Sequence, residues 1–219
     1  MSIARLYRLA SVVCLALYSV FAAIFVVTAA IHGGDPALVT VEAFAFLCAQ
    51  AALGVAAVGL GHLLRNRTPV LAPIAAGLLF MSAFGHAAAA GFMLSVTTEQ
   101  APGDPTHMLN PVAIPTMVGL VGGTIVLAIA LFRAKLGVAW LGVVLLGWVV
   151  VEFGLSGMGL WASMSSAALL LVAFVGLAAV TQRSELRDWM TASEWMTASS
   201  PGADAPQEPH GEDMVSSRL

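Results

Sequence analysis

Residues 9–31 read LASVVCLALYSVFAAIFVVTAAI, a run of 23 residues without a charged side chain. At a rise of about 1.5 Å per residue, about 20 apolar residues in a helix cross the roughly 30 Å hydrocarbon core of a bilayer. A strand of a membrane barrel would need about 9–11 residues of alternating polarity, and this run does not alternate. The run therefore predicts a membrane-spanning α-helix, and with it the class of the fold.

The composition of the whole chain indicates the same class. Hydrophobic residues make up 59% of the 219 residues, and charged residues make up 10%. A soluble domain carries roughly 25% charged residues, so this chain has too few to cover a water-facing surface. A soluble enzyme and a disordered chain are excluded as descriptions of the whole protein. No basic stripe is present, so we expect the lipid bilayer as a partner and no nucleic acid.

Five further apolar runs follow the first, at about residues 37–64, 69–96, 109–132, 136–154 and 158–180. The connections between them are rich in Gly, Pro and polar residues, which favour turns. The predicted fold is therefore all-α, a bundle of six transmembrane helices formed by residues 1–181.

The segment after the sixth run changes in character. Residues 182–200 contain the repeat WMTASE/WMTASS, and we expect a short juxtamembrane helix with its tryptophans, Trp189 and Trp195, near the lipid headgroups, as Trp prefers. The repeat also allows a partner-binding motif, and its role stays open. Residues 201–219 are mostly Pro, Gly, Ser, Ala and acids, which bury too little apolar area to fold, so a disordered tail is predicted.

The orientation follows from the basic residues. With six spans, all nine Lys and Arg residues lie on one side of the membrane. The loops of the other side contain no basic residue, and their charged residues are the acids Asp35, Glu99 and Asp104. The positive-inside rule then predicts a multi-pass protein of the cell membrane with both termini in the cytoplasm. The nine residues are Arg5, Arg8, Arg65, Arg67, Arg133, Lys135, Arg183, Arg187 and Arg218.

A signal peptide is the competing interpretation of the first run. Arg5 and Arg8 resemble its basic start, and Val27-Thr28-Ala29 resembles a cleavage site. The apolar part of a signal peptide has about 7–15 residues, fewer than this run, so we expect the first helix to be retained.

Among the ionisable residues inside predicted spans, three are candidates for a common site: Glu42, His86 and Glu152. Such residues cost roughly 2.5–3.5 kcal/mol in mid-membrane and therefore face the bundle interior. We expect Glu42 and His86 to line one polar cavity that opens to the outside, with Glu152 at its edge and His32 and His107 at its rim. The alternative is that they only make hydrogen bonds between helices.

This cluster leaves several functions open. The leading hypothesis is a non-enzymatic membrane protein that binds a small ligand, a lipid or a partner subunit in the cavity. A metal-dependent membrane enzyme using Glu42, His86 and Glu152 is the first alternative, although no spacing typical of a metal site supports it. A small ion- or proton-coupled transporter is the second, because two three-helix halves would have opposite orientations. No catalytic residue, metal or cofactor is predicted.

A haem site and a protease site are both disfavoured by where the histidines lie in the sequence. Haem needs axial histidines at matching depth, but His62 lies near the inner end of its span and His86 in the outer half of the next. Gly154-Leu155-Ser156-Gly157 resembles the GxSG motif of rhomboid proteases, yet no histidine follows within a span to act as the base.

Small residues recur along the spans and include the GxxxG pair Gly119 and Gly123. Such residues allow membrane helices to approach closely, and we expect packing within the bundle rather than dimerisation. Trp140, Trp148 and Trp161 are interpreted as packing or interfacial residues rather than a ligand cage.

As a whole, residues 1–181 resemble the small six-span membrane proteins of bacterial families without assigned function, of actinobacterial type. The resemblance rests on the start at Arg5 and Arg8, the paired arginines after the second span, and Ala134-Lys135-Leu136-Gly137 ahead of Trp140-Leu141-Gly142. It implies a bacterial plasma membrane protein and no known catalytic residue.

Overall fold

The computed structural model describes residues 3–31, 35–98, 106–136, 138–155 and 160–190, without the side chains of 95–98, 106–111, 160, 162, 163 and 187. These residues form six α-helices and a short 3₁₀ turn, with no strand, so the all-α six-helix fold is confirmed. The helices are α1 (Ile3–Ile31), α2 (Pro36–Leu64), α3 (Leu71–Thr98), α4 (Thr106–Ala134), α5 (Ala139–Gly154) and α6 (Leu160–Arg183), and the 3₁₀ turn is Leu186–Trp189.

The fifth helix is shorter than the apolar run that predicts it. Within the described ranges, five helices are long and apolar enough to cross a membrane, whereas the 16 residues of α5 span about 24 Å at 1.5 Å per residue. The cause lies in the preceding turn. Lys135 has a φ of 52°, a left-handed conformation that ends α4 at Ala134. Val138 then precedes the first turn of α5, where its carbonyl accepts the N–H of Leu141 at 2.9 Å.

The helices form a closed ring. Each helix packs against the next along the chain, and α6 packs back against α1. Because the connections are short, successive helices run in opposite directions, as expected for chain neighbours. The ring has two ends: the basic end, where α1, α3 and α5 begin, and the far end, where α2, α4 and α6 begin.

Contacts between helix ends show that Arg8 and Arg67 lie together at the basic end. The guanidinium of Arg8 donates to the carbonyl of Ser184 at 3.0 Å. Arg67 donates to the carbonyl of Ala134 at 3.2 Å and pairs with Asp188 at 3.3 Å. The start of α1 and the ends of α2, α4 and α6 therefore lie together.

Trp189, which the sequence predicts near the lipid headgroups, is buried in protein at the basic end. It is 1% exposed, and its Nε1 donates to Ser184 Oγ at 2.7 Å. Its carbonyl lies 2.9 Å from Nε2 of His62, whose ring is stacked on Tyr7 with centroids 4.9 Å apart. The indole ring is buried because the 3₁₀ turn folds the chain back onto α1 and α2.

The compact unit accordingly extends from Met1 to Trp189, and the second unit is Met190–Leu219. Residues 182–189 thus pack with the helices. The predicted disordered tail, 201–219, and the second copy of the Trp repeat lie outside the described residues.

Large apolar side chains cover the outside of the ring. Phe84 is 72% exposed, Ile114 73% and Trp161 85%. Water-soluble proteins do not expose apolar surface on this scale around every helix, whereas lipid accommodates it. The chain is an integral membrane protein.

Glycines let neighbouring helices touch, as the sequence predicts. A Cβ at Gly119 would lie 2.6 Å from the carbonyl oxygen of Leu78, and one at Gly123 would lie 2.9 Å from the amide nitrogen of Leu79. The GxxxG pair therefore packs α4 against the backbone of α3, within the bundle. Not every glycine serves this purpose, because a Cβ at Gly77, Gly91 or Gly147 would meet nothing within 4 Å.

Candidate ligand-binding cavity

A cavity of about 470 Å³ lies inside the ring, and all six helices contribute to its wall. This volume falls within the roughly 300–1,000 Å³ of small-molecule sites. The wall is mainly apolar, with Phe25, Phe46 and Leu120 among its residues. It also carries six polar or partly polar side chains: Tyr18, Gln50, His86, Trp148, Glu152 and Ser166.

The cavity occupies the middle of the ring and the half toward the far end. Its residues come from the second half of α1, the first half of α6 and the last two turns of α5. Glu152 is two residues from the end of α5 and is exposed, so it marks the end of the cavity nearest the α5–α6 connection.

Glu152 is tied to the neighbouring helix. Ser166 of α6 is buried and donates its hydroxyl hydrogen to Oε2 of Glu152. Within the described lining, Glu152 is the single acidic side chain, and no Lys or Arg is present. The carboxylate therefore provides hydrogen-bond acceptors at one end of the cavity.

His86 is oriented by its own helix. Its Nδ1 lies 3.0 Å from the carbonyl oxygen of Ser82 and 3.2 Å from Ser82 Oγ. A carbonyl can only accept, so Nδ1 carries the hydrogen, and Nε2 of the neutral ring is left as an acceptor. The edge-to-face contact with Phe46, 5.6 Å between centroids, further restricts the ring.

Two buried polar side chains of the wall have unsatisfied atoms. Gln50 is 6% exposed and Trp148 is 2% exposed, and neither Gln50 Oε1 nor Trp148 Nε1 has a hydrogen-bond partner in the described structure. Leaving a buried polar atom unpaired costs about 1–3 kcal/mol. A bound molecule or water in the cavity would offset this cost.

Of the three ionisable residues singled out in the sequence, the structure places His86 and Glu152 in the wall of one cavity. Glu42 is not among the described wall residues. It is half-buried and lies one helical turn before Phe46, on the same face of α2 but closer to the far end. His32 and the side chain of His107, the expected rim, lie outside the described part of the chain.

The alternative of a metal-dependent enzyme has no matching geometry in the part of the chain that the structure describes. Among the described residues, no three His, Cys, Asp or Glu side chains lie close enough together to hold a metal ion, and this includes Glu42, His86 and Glu152. His62 lies at the basic end beside Trp189, away from His86 in the cavity wall. Ser156 of the GxSG motif lies outside the described residues.

Gln50, Trp148 and Ser166 line the cavity although they are not among the site residues predicted from the sequence. Gln50 has a visible signal, since it is an amide within the apolar run of α2, but it is not ionisable. Trp148 is buried in the wall, whereas Trp140 and Trp161 are 50% and 85% exposed, and nothing in the sequence separates the three. Ser166 is one of several serines in α6 and acquires its role from Glu152.

Comparison with protein-family models, curated proteins and solved structures gives no match for this chain. The site is therefore interpreted from its own chemistry.

Proposed function

We propose that this membrane protein binds a small amphipathic molecule in the central cavity, without catalysing a reaction. The observation that carries the proposal is a largely apolar cavity of about 470 Å³ that contains unpaired polar atoms on two different helices. Ligand sites combine an apolar wall with a few placed polar groups in this way.

The chemistry of the wall favours a ligand with a hydrogen-bond-donating head. Glu152, Oε1 of Gln50 and Nε2 of His86 can accept hydrogen bonds, and among the described wall residues Nε1 of Trp148 is the donor that is buried without a partner. Phe25, together with the other apolar wall residues, suits an aromatic or aliphatic body. A protonated amine on an apolar body satisfies these conditions best, because the described wall has a carboxylate and no Lys or Arg. A transport role stays a hypothesis, based on the opposite orientations of the two three-helix halves.

A matched series of probes tests the proposal. We expect 4-phenylbutylamine, which is protonated at neutral pH, to bind the detergent-solubilised protein more tightly than 4-phenylbutanol, and 4-phenylbutyrate to bind least. Glu152→Gln removes the charge and should weaken amine binding roughly tenfold, the value of about one charged hydrogen bond. Isothermal titration calorimetry measures the three affinities.

Two further variants serve as controls. Ala167→Phe places a ring in the cavity wall and should abolish binding of all probes. Glu42→Gln removes a carboxylate outside the described wall and should leave amine binding unchanged. Equal binding of the three probes, or unchanged binding in Ala167→Phe, would contradict the proposal.

We further propose that the protein resides in a bacterial plasma membrane with the basic end in the cytoplasm. The contacts of Arg8 and Arg67 with other helix ends support this, because they gather the basic residues at one end, and the positive-inside rule places that end inside. The resemblance to six-span bacterial families supports the choice of membrane.

Reporter fusions test the orientation. We expect alkaline phosphatase to be active after Gly103 and inactive after Ala203, and a cytoplasm-dependent fluorescent protein to give the reverse, because an odd number of spans separates the two sites. Using both reporters at each site controls for expression. The same face for both sites would rule out six spans with cytoplasmic termini.

A further inference from the structure

A second depression lies on the outside of the ring, in the groove between α2 and α3 at the basic end. Its volume is about 470 Å³, and its lining is mainly apolar. Val58 and Phe80 form its end toward mid-membrane and are 50% and 49% exposed. His62 and Arg65 lie in its other end, next to the last turn of α2.

Small residues create this groove. A Cβ at Gly61 would lie 2.7 Å from Cβ of Ala76, so α2 and α3 nearly touch at its floor. Gly77, the next residue of α3, has open space where a side chain would stand. The groove is thus a gap of side-chain width beside a close helix contact, and it faces the lipid.

Arg65 differs from the arginines that pair at the same end. Arg8 and Arg67 donate to protein carbonyls, and Arg67 also meets Asp188. The Nη2 atom of Arg65 is buried and has no acceptor in the described structure, although the side chain as a whole is half-buried. A charged donor held out of water without an acceptor is costly, and a change of rotamer would let the guanidinium meet an anion in the groove.

We infer that this groove binds an anionic phospholipid, with its phosphate on Arg65 and one acyl chain along Val58, Gly77 and Phe80. A guanidinium matches the geometry of a phosphate, and basic pockets between membrane helices bind acidic headgroups. The described lining has no acidic side chain that would accept the ammonium of a zwitterionic headgroup. An apolar groove of this length selects a lipid over a free phosphate ion.

Native mass spectrometry of the purified full chain, titrated with phosphatidylglycerol or phosphatidylcholine, tests this site. We expect one phosphatidylglycerol to bind more tightly than phosphatidylcholine. Arg65→Gln should weaken that binding roughly tenfold, the loss of a charged hydrogen bond. Gly77→Leu should weaken it as well, because the side chain fills the groove while Arg65 remains.

Each variant has a matched control. Arg133→Gln removes a charge from an exposed arginine in the last turn of α4, and Gly147→Leu adds a side chain at an open glycine of α5. Both should bind phosphatidylglycerol as the native chain does. If Arg133→Gln weakens binding as much as Arg65→Gln, the attraction is a property of the whole basic end, and the site is refuted. The site is also refuted if the two lipids bind equally, or if Gly77→Leu binds phosphatidylglycerol as tightly as the native protein does.

Discussion

Replacing Gly119 by Ala should lower the free energy of unfolding by about 1–3 kcal/mol, the usual cost of overpacking. The added Cβ would lie 2.6 Å from Leu78 O and 2.9 Å from Ser82 N. Both are backbone atoms, so no side-chain rotation relieves the contact and α3 and α4 must separate. Unfolding by sodium dodecyl sulfate in mixed micelles measures the change.

Glycines facing open space provide the control for Gly119. Ala is a better helix former than Gly by about 1 kcal/mol, so Gly91→Ala, on the lipid-exposed face of α3, should be neutral or slightly stabilising. If Gly119→Ala and Gly91→Ala behaved alike, the close approach of α3 and α4 would not be present in the membrane.

The same substitution should affect the cavity. His86 lies one turn after Ser82 on α3, and Leu120 follows Gly119 on α4, so both wall residues move when the two helices separate. Amine binding should therefore weaken in Gly119→Ala and not in Gly91→Ala.

Replacing Trp189 by Ala should destabilise the protein by about 3 kcal/mol, the lower range for removing a large buried aromatic side chain. The ring is 1% exposed, and the substitution also removes the donor to Ser184 Oγ. The His62 ring then loses the tryptophan ring whose centroid lies 5.9 Å from its own. The thermal midpoint in detergent should fall by roughly 6–12 °C for a chain of this size.

Trp161 offers a matched control because it is 85% exposed on the outside of α6. Trp161→Ala should change the midpoint little, since lipid replaces the contacts of the ring. The midpoint of Trp189→Phe should lie between those of the two alanine variants, because it keeps an aromatic ring but loses the Nε1 donor. Equal effects of Trp189→Ala and Trp161→Ala would show that the 3₁₀ turn does not stabilise the bundle.

Much of the secondary structure could be predicted because it depends on local properties. An apolar run such as residues 9–31 must bond its backbone internally in lipid, and a helix does so whatever surrounds it. The structure begins α2 at Pro36, one residue before the predicted run of 37–64, and Asp35 there accepts the amide of Ala37 at 2.9 Å. The late start of α5 was not predictable, because it depends on the backbone conformation adopted by Lys135.

The candidate site was predicted in part for the same reason. Glu152 and His86 stood out because ionisable groups in apolar runs are rare, and the structure places both in the cavity wall. Glu42 stood out equally and lies one turn from the wall residue Phe46 on its helix. A difference of one helical turn decides whether a side chain reaches a cavity, and the spacing of residues in the sequence does not predict their positions that closely.

The sequence by itself determined the number of helices, their membrane character and the gathering of basic residues at one end, because hydrophobic length and charge act on each segment independently. Only the tertiary structure decided the ring order, the cavity and the burial of Trp189. The helices are apolar on nearly all sides, so no polar stripe in the sequence marks which face meets a neighbour and which meets lipid. That choice depends on the fit of particular side chains, as where Gly119 of α4 meets the backbone of Leu78 in α3.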